Sequence, residues 1–314
     1  MVTPIPAANH DALLLRGHAD CQKAFSRKFG SYRWILGNLS ADKHRDCYVI
    51  LGFLGKSLTL LAEKPFGHAP ATAWENLRDE MRQASLGQSQ DPLCVAVADV
   101  ANRYSIAKQW LFDVLDGVDL WVRFGKFETY EELAHFGCKI GGSTLNALIP
   151  VLEFEQRDYE VAGAGMGQAI ALTQILVSVA SDQQKQRCFL PRNLLRIHDV
   201  SLGDIHSEEQ RKQFGKLVRH LATQIELEFY EAAPLLNCLS FDGQRVLKSL
   251  LAWHWELLNR IKQHPLLLLE HRVELNRREV AKLRLKHLLG TEGTGVPIVA
   301  AAHPPNHNAH APEH

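Results

Sequence analysis

The sequence predicts an all-α protein, and three observations carry that prediction. Apolar residues return at helical spacing, as at Ile170, Leu172, Ile175, Leu176 and Val179. Helix-starting signals precede apolar runs: Ser40, Pro92, and Thr129 with Glu132 three residues on. Gly and Pro punctuate between runs, at Gly30, Pro65–Pro70, Gly87 and Pro191. A chain of 314 residues can bury a large core as one domain. Lys plus Arg and Asp plus Glu are both 35, so the basic excess of a nucleic-acid binder is missing. Cysteines 21, 47, 94, 138, 188 and 238 show no C-x-x-C spacing, which predicts reduced thiols in a cytoplasmic protein. Pro4 and Pro6 interrupt the N-terminus, so no signal peptide is expected. No apolar run approaches the roughly 18 residues of a spanning helix, and the expectation is a soluble protein with peripheral membrane contact left open.

In chain order, residues 1–9 read as a loose arm and His10–Phe29 as a first helix stopped by Gly30. Ser40 caps a helix over Ala41–Glu63, with Lys43 at the capping-box position. Thr72–Leu86 is helical, Gly87–Asp91 turns, and Pro92 opens a helix in its favoured first-turn place. Thr129 starts another. Gly141 and Gly142 in Cys138–Ser143 allow close approach, either of a second helix or of a ligand. The stretch Gly163–Pro191 reads as one long helix, with Gln174, Ser178, Ser181 and Asp182 on a shared polar face. Ser207–Glu231 and Arg245–Gln263 follow, then a basic amphipathic helix over Arg272–Leu285, read as a solvated face with an interfacial role left open. Gly290–His314 reads as a disordered tail. The folded domain is expected over residues 10–289.

The long stretch resembles the second aspartate-rich region of the squalene/phytoene synthase family. That region reads Gln-Leu-Thr-Asn-Ile-Leu-Arg-Asp-x-x-Glu-Asp, then Gly-Arg-x-Tyr-Leu-Pro. Here it is Ala171-Leu172-Thr173-Gln174-Ile175-Leu176-Val177-Ser178-Val179-Ala180-Ser181-Asp182, then Gln186-Arg187-Cys188-Phe189-Leu190-Pro191. Val177 replaces the arginine, Ser178 and Ser181 replace an aspartate and the glutamate, and Asp182 is the one retained acid. The first aspartate-rich region resembles Arg45–Ala62. Arg45 and Phe53 hold their places, Gly55 replaces an arginine, Leu58, Thr59 and Ala62 replace aspartates, and Lys56 adds a positive charge. Ser31–Trp34, Leu93–Leu120, Phe127–Leu133, Cys138–Ser143 and Arg272–Leu285 resemble further family segments, so the likeness runs over roughly residues 26–289.

The resemblance implies a helical bundle of the isoprenoid-synthase type around a central cavity, with Phe53, Gly141 and Gly142 lining it. It implies head-to-head joining of prenyl diphosphates, with Mg²⁺ held by carboxylates on two facing helices. The substitutions remove that carboxylate set, and Asp113, Asp116 and Asp119 offer at most one partial cluster. No metal or other cofactor is therefore expected, and Mg²⁺ only if the protein is active. The leading expectation is a catalytically impaired member, binding a prenyl diphosphate or other long apolar ligand, or partnering an active paralogous synthase. The second is an active transferase that meets the diphosphate with Arg33, Arg45, Lys56, Lys185 and Arg187. The third is a helical scaffold with a filled core.

Overall fold

Helix α1 (Ala7–Phe29) lies against α2 (Ala41–Ala62) at a point where only glycine fits. A Cβ on Gly52 would stand 2.4 Å from the Cys21 carbonyl oxygen. The structure is a computed structural model that describes residues 7–62, 71–156, 158–202, 205, 207–291 and 295–302. The position of Glu63 and the Pro65–Pro70 loop lie outside the described residues, as do residues 1–6 of the expected arm. Residues 7–9 of that arm are part of α1.

α3 (Ala71–Ser85), α4 (Pro92–Arg103) and α5 (Lys108–Phe124) follow. Pro92 takes the first turn of α4, and the Asp91 side chain caps it by accepting from the Cys94 N–H at 2.9 Å. Buried Asp46 of α2 is tied to α4 by two hydrogen bonds of 2.8 Å from Arg103. α6 (Tyr130–Gly137) starts on Thr129, which accepts from the Glu132 N–H. The Glu132 carboxylate reaches back one residue further than a capping box requires, to the Glu128 N–H. A π-helical turn at Cys138–Gly142 leads into α7 (Ser143–Leu152), which is buried along its whole length.

α8 (Glu160–Val177) is the helix around which α6, α7, α11 and α12 are arranged. Its 18 residues reach a mean hydropathy of 1.2, enough in length and composition to cross a membrane, contrary to the sequence expectation. Its small residues, however, face other helices at close range, which places it in the protein core. The helix does not run on to Pro191. It breaks at Ser178 (φ −97°, ψ −2°) and resumes as the short α9 (Val179–Gln184). α10 (Arg192–Ile197), α11 (Glu208–Glu231), α12 (Phe241–Gln263) and α13 (Leu267–Glu270) complete the bundle.

Residues 272–276 are non-helical, and the Val273 N–H bonds the Val177 carbonyl left open by the break in α8. The expected helix over Arg272–Leu285 therefore begins only at Arg277, as α14 (Arg277–Leu288). Asn276 and Glu279 form its complete capping box. The expected disorder from Gly290 onward does not hold for α15 (Pro297–Ala302): Val296 and Ile298 are buried, against the turn at Ala233–Cys238. Apolar burial there outweighs the Gly- and Ala-rich composition that suggested disorder. Residues 303–314 lie outside the described set. Among the described residues no strand forms beyond a single bridge between Phe154 and Leu239.

Candidate functional site

The break at Ser178 builds the site. With α8 ended, Arg272 on the extended segment reaches across and donates to Gln174 Oε1 at 2.9 Å and to Ser178 Oγ at 2.5 Å. Gln174 Nε2 donates onward to the Tyr32 hydroxyl (2.8 Å) and lies 3.1 Å from His254 Nε2. His254 Nδ1 sits 2.8 Å from the Leu250 carbonyl, which can only accept, so Nδ1 carries the proton and Nε2 accepts. The Tyr32 hydroxyl then donates to Nε2, completing a chain from Arg272 to the α12 backbone. Burial holds His254 neutral, with its pKa pushed down to about 4, and pushes the Tyr32 phenol up.

Beside this network lies a cavity of about 480 Å³. Its floor includes Trp34, Val177, Trp253 and Leu257, and its polar wall carries Tyr32, Arg33, Gln174 and Arg272. It is bounded by the turn at Gly30–Leu36, the end of α8, α12 and residues 272–284. Aromatic rings stand in a row beside it. Tyr48 and Phe25 are 4.3 Å apart between centroids, Phe25 and Phe29 6.3 Å, Phe29 and Tyr32 6.2 Å, and Tyr32 and Trp253 5.4 Å.

The expected cavity residues lie elsewhere. Phe53 is 1% exposed in the apolar core. Gly141 and Gly142 press on α8: a Cβ on Gly141 would stand 2.1 Å from the Gly167 carbonyl oxygen, and one on Gly142 2.7 Å from that of Ala164. Both glycines serve helix packing because no side chain fits between the two backbones.

The first motif makes no polar site. Gly55 is buried against the Ala24 carbonyl, Leu58 is half-buried against the core, and the Thr59 hydroxyl donates to the Gly55 carbonyl at 2.8 Å. Lys56 is exposed, and Ala62 ends the helix. Arg45 belongs to another cluster, 3.0 Å from Asp42 and 3.8 Å from Asp46. In the second motif Val177 is buried, and the Ser181 hydroxyl donates to the Ser178 carbonyl. Asp182 lies 3.6 Å from Arg187, with Lys185, Arg272 and Lys28 close enough to act on its charge. Burial nonetheless raises the Asp182 pKa, against the pull of those cations. Partial burial, then Lys185, Arg187 and Arg272, lower the pKa of Lys28.

Of the five cations expected at a diphosphate, Lys185 and Arg187 therefore act around Asp182 and Arg33 lines the neighbouring cavity, whereas Arg45 and Lys56 stand outside. Lys28, Tyr32, His254 and Arg272 were not foreseen. Tyr32 and Arg272 fall in segments that resemble the family, but nothing local in the sequence links Lys28 or His254 to residues more than 70 positions away.

These donors do not fit a divalent cation. One carboxylate, surrounded by positive side chains, and hydroxyls already engaged with backbone or arginine give Mg²⁺ no oxygen set of the kind it requires. Among the described residues no three His, Cys, Asp or Glu side chains gather as metal ligands. Asp113 and Asp116 instead share Lys139, at 2.5 and 3.9 Å, and Asp119 pairs with Arg123.

The family profile described as squalene/phytoene synthase matches residues 63–279. The chain belongs to that family. Over 139 residues it is 31% identical to 4,4'-diapophytoene synthase of Staphylococcus haemolyticus, a stretch that is 43% of this chain and 48% of that protein. Over 141 residues it is 26% identical to the farnesyl diphosphate phosphatase YisP of Bacillus subtilis, covering 44% and 52%. It is 20% identical over 197 residues to the complex I assembly factor 6 of Bos taurus, covering 62% and 59%. The alignments thus span about half the length of the first two of these relatives. Among solved structures, a dehydrosqualene synthase with bound ligand superposes with a TM-score of 0.75 at 18% identity, over 90% of this chain and 98% of that one. The squalene synthase HpnC of Alicyclobacillus acidocaldarius gives 0.70 at 13%, over 83% and 96%. At such identities the likeness establishes the all-α isoprenoid-synthase fold.

Proposed function

We propose that this squalene/phytoene synthase family member binds an amphiphile with an anionic head and a prenyl-type tail, and does not condense two of them. The observation that carries the reading is Arg272, whose guanidinium occupies the polar groups of Gln174 and of Ser178, the latter standing where the family pattern has an aspartate. Arg33 and Arg272 offer fixed positive charge to a diphosphate, and Trp34, Trp253 and Leu257 offer apolar surface to the chain behind it. The names of the bacterial relatives, a diapophytoene synthase and a farnesyl diphosphate phosphatase, support prenyl diphosphates as the class to test.

Calorimetry with farnesyl diphosphate tests this directly. Binding is expected to be the same with EDTA and with Mg²⁺, to weaken at least about tenfold in Arg272→Met, and to leave the ligand intact. Binding only with Mg²⁺, or release of hydrocarbon, farnesol or diphosphate, overturns the reading. A second reading, a helper of another protein, draws on the bovine relative, which is named for assembly and not for synthesis. It would gain if the protein ignores all prenyl diphosphates yet co-purifies stoichiometrically with a synthase from its own source.

A further inference from the structure

We propose that the outward face of α14 docks on an anionic lipid bilayer, with the cavity mouth beside the bilayer surface. α14 is anchored by Leu283 and His287, both buried, and by the ion pair of Glu279 with Arg260 on α12. What remains outside is sharply divided. At about 100° per residue, Ala281, Leu285 and Leu288 fall within about 60° of one another on the solvent side. Leu285 is 57% exposed, Leu288 73% and the following Leu289 67%. Arg277 and Arg284 flank this ridge on one side, Arg278 and Lys282 on the other, and all four are exposed. Among the described residues none of the four is in an ion pair, and the one acid of the helix, Glu279, faces inward to Arg260.

The chain as a whole has equal numbers of acidic and basic side chains. Four unpaired cations around three exposed leucines are therefore a local arrangement and not a by-product of composition. A convex apolar ridge with cations on both edges fits a bilayer: the leucines enter the headgroup region while the long basic side chains reach phosphates on either side. A protein partner would need an acidic groove of matching shape, and nothing on α14 is concave. Val280 and Arg284 also line the 480 Å³ cavity, so the cavity borders the edge of α14 that Arg284 shares with the ridge. An amphiphile dissolved in the bilayer could then enter without crossing water. The docking surface itself stands whether or not the cavity takes a prenyl diphosphate.

The test is flotation of the full chain with vesicles of phosphatidylcholine alone and of phosphatidylcholine mixed with phosphatidylglycerol. Binding is expected only to the mixed vesicles, and it should fall as salt is raised. Each cation removed should weaken partitioning about fivefold, so Arg278→Gln with Lys282→Gln should lose about 25-fold. Leu285→Ser with Leu288→Ser should abolish flotation while keeping the wild-type melting midpoint and calorimetric binding of farnesyl diphosphate. Equal partitioning to both vesicle types, no flotation at low salt, or full flotation of the leucine variant overturns the proposal. So does a lipid-free dimer that the leucine variant abolishes, since that would assign the ridge to a second copy of the chain. A protein that floats but binds no prenyl diphosphate leaves this proposal intact and removes the ligand reading alone.

Discussion

His254 should make the protein acid-sensitive in a way that one substitution can reveal. The imidazole is fully buried, donates to the Leu250 carbonyl and accepts from Tyr32 and Gln174, so the folded state holds it neutral with a pKa of about 4. In the unfolded chain it titrates near 6.5. A folded pKa below the unfolded one means that the unfolded state takes up the proton first. The stabilising contribution is complete above about pH 6.5 and is lost as pH falls towards 4. Between pH 7 and pH 4.5 the linkage amounts to about 2 kcal/mol. Urea unfolding of wild type and His254→Asn at both pH values isolates it, because other titrating groups contribute alike to both proteins. Wild type should lose about 2 kcal/mol more than the variant over that interval. Equal losses would refute the neutral, buried assignment. Farnesyl diphosphate binding by the folded protein should hold to about pH 5 and fail only as pH falls through about 4, where protonated His254 can no longer accept from the Tyr32 and Gln174 pair that positions Arg272.

Two further outcomes follow from backbone geometry. Gly141→Ala and Gly167→Ala each place a methyl group about 2 Å from a facing carbonyl oxygen, and each should cost about 3 kcal/mol in urea unfolding; if these glycines lined an open cavity, the alanines would be tolerated. Gln186 sits at φ +56°, where the Arg187 N–H returns to the Asp182 carbonyl at 2.8 Å to close α9. Gln186→Gly should therefore raise stability by about 0.5 kcal/mol in the same assay, and a loss of stability would mean that the Gln186 side chain makes a contact of greater worth.

Local patterns went far with this protein. The Asp-rich motif positions, the Thr129 cap and Pro92 at a helix start are legible because each depends on residues within one or two turns. The replacement of carboxylates by Leu58, Thr59, Ala62, Ser178 and Ser181 is likewise read from the sequence alone. The sequence also offered Lys56 and Arg45 as diphosphate ligands, but exposure and a competing pair of aspartates take them elsewhere.

Periodicity could not reveal the break at Ser178, because the apolar spacing continues through it. The helix ends there when residues 272–276 supply the Val177 carbonyl with a partner and Arg272 supplies one for Ser178. The sequence by itself determined the helical class, the family and which acids are gone. Only tertiary packing decided that Gly141 and Gly142 close a helix contact, that the cavity lies beside Tyr32 and Trp253, and that Lys28 and Arg272 join Arg187 near Asp182. The physical reason is distance along the chain: these partners lie tens to hundreds of residues apart, and charge, burial and backbone approach act through space.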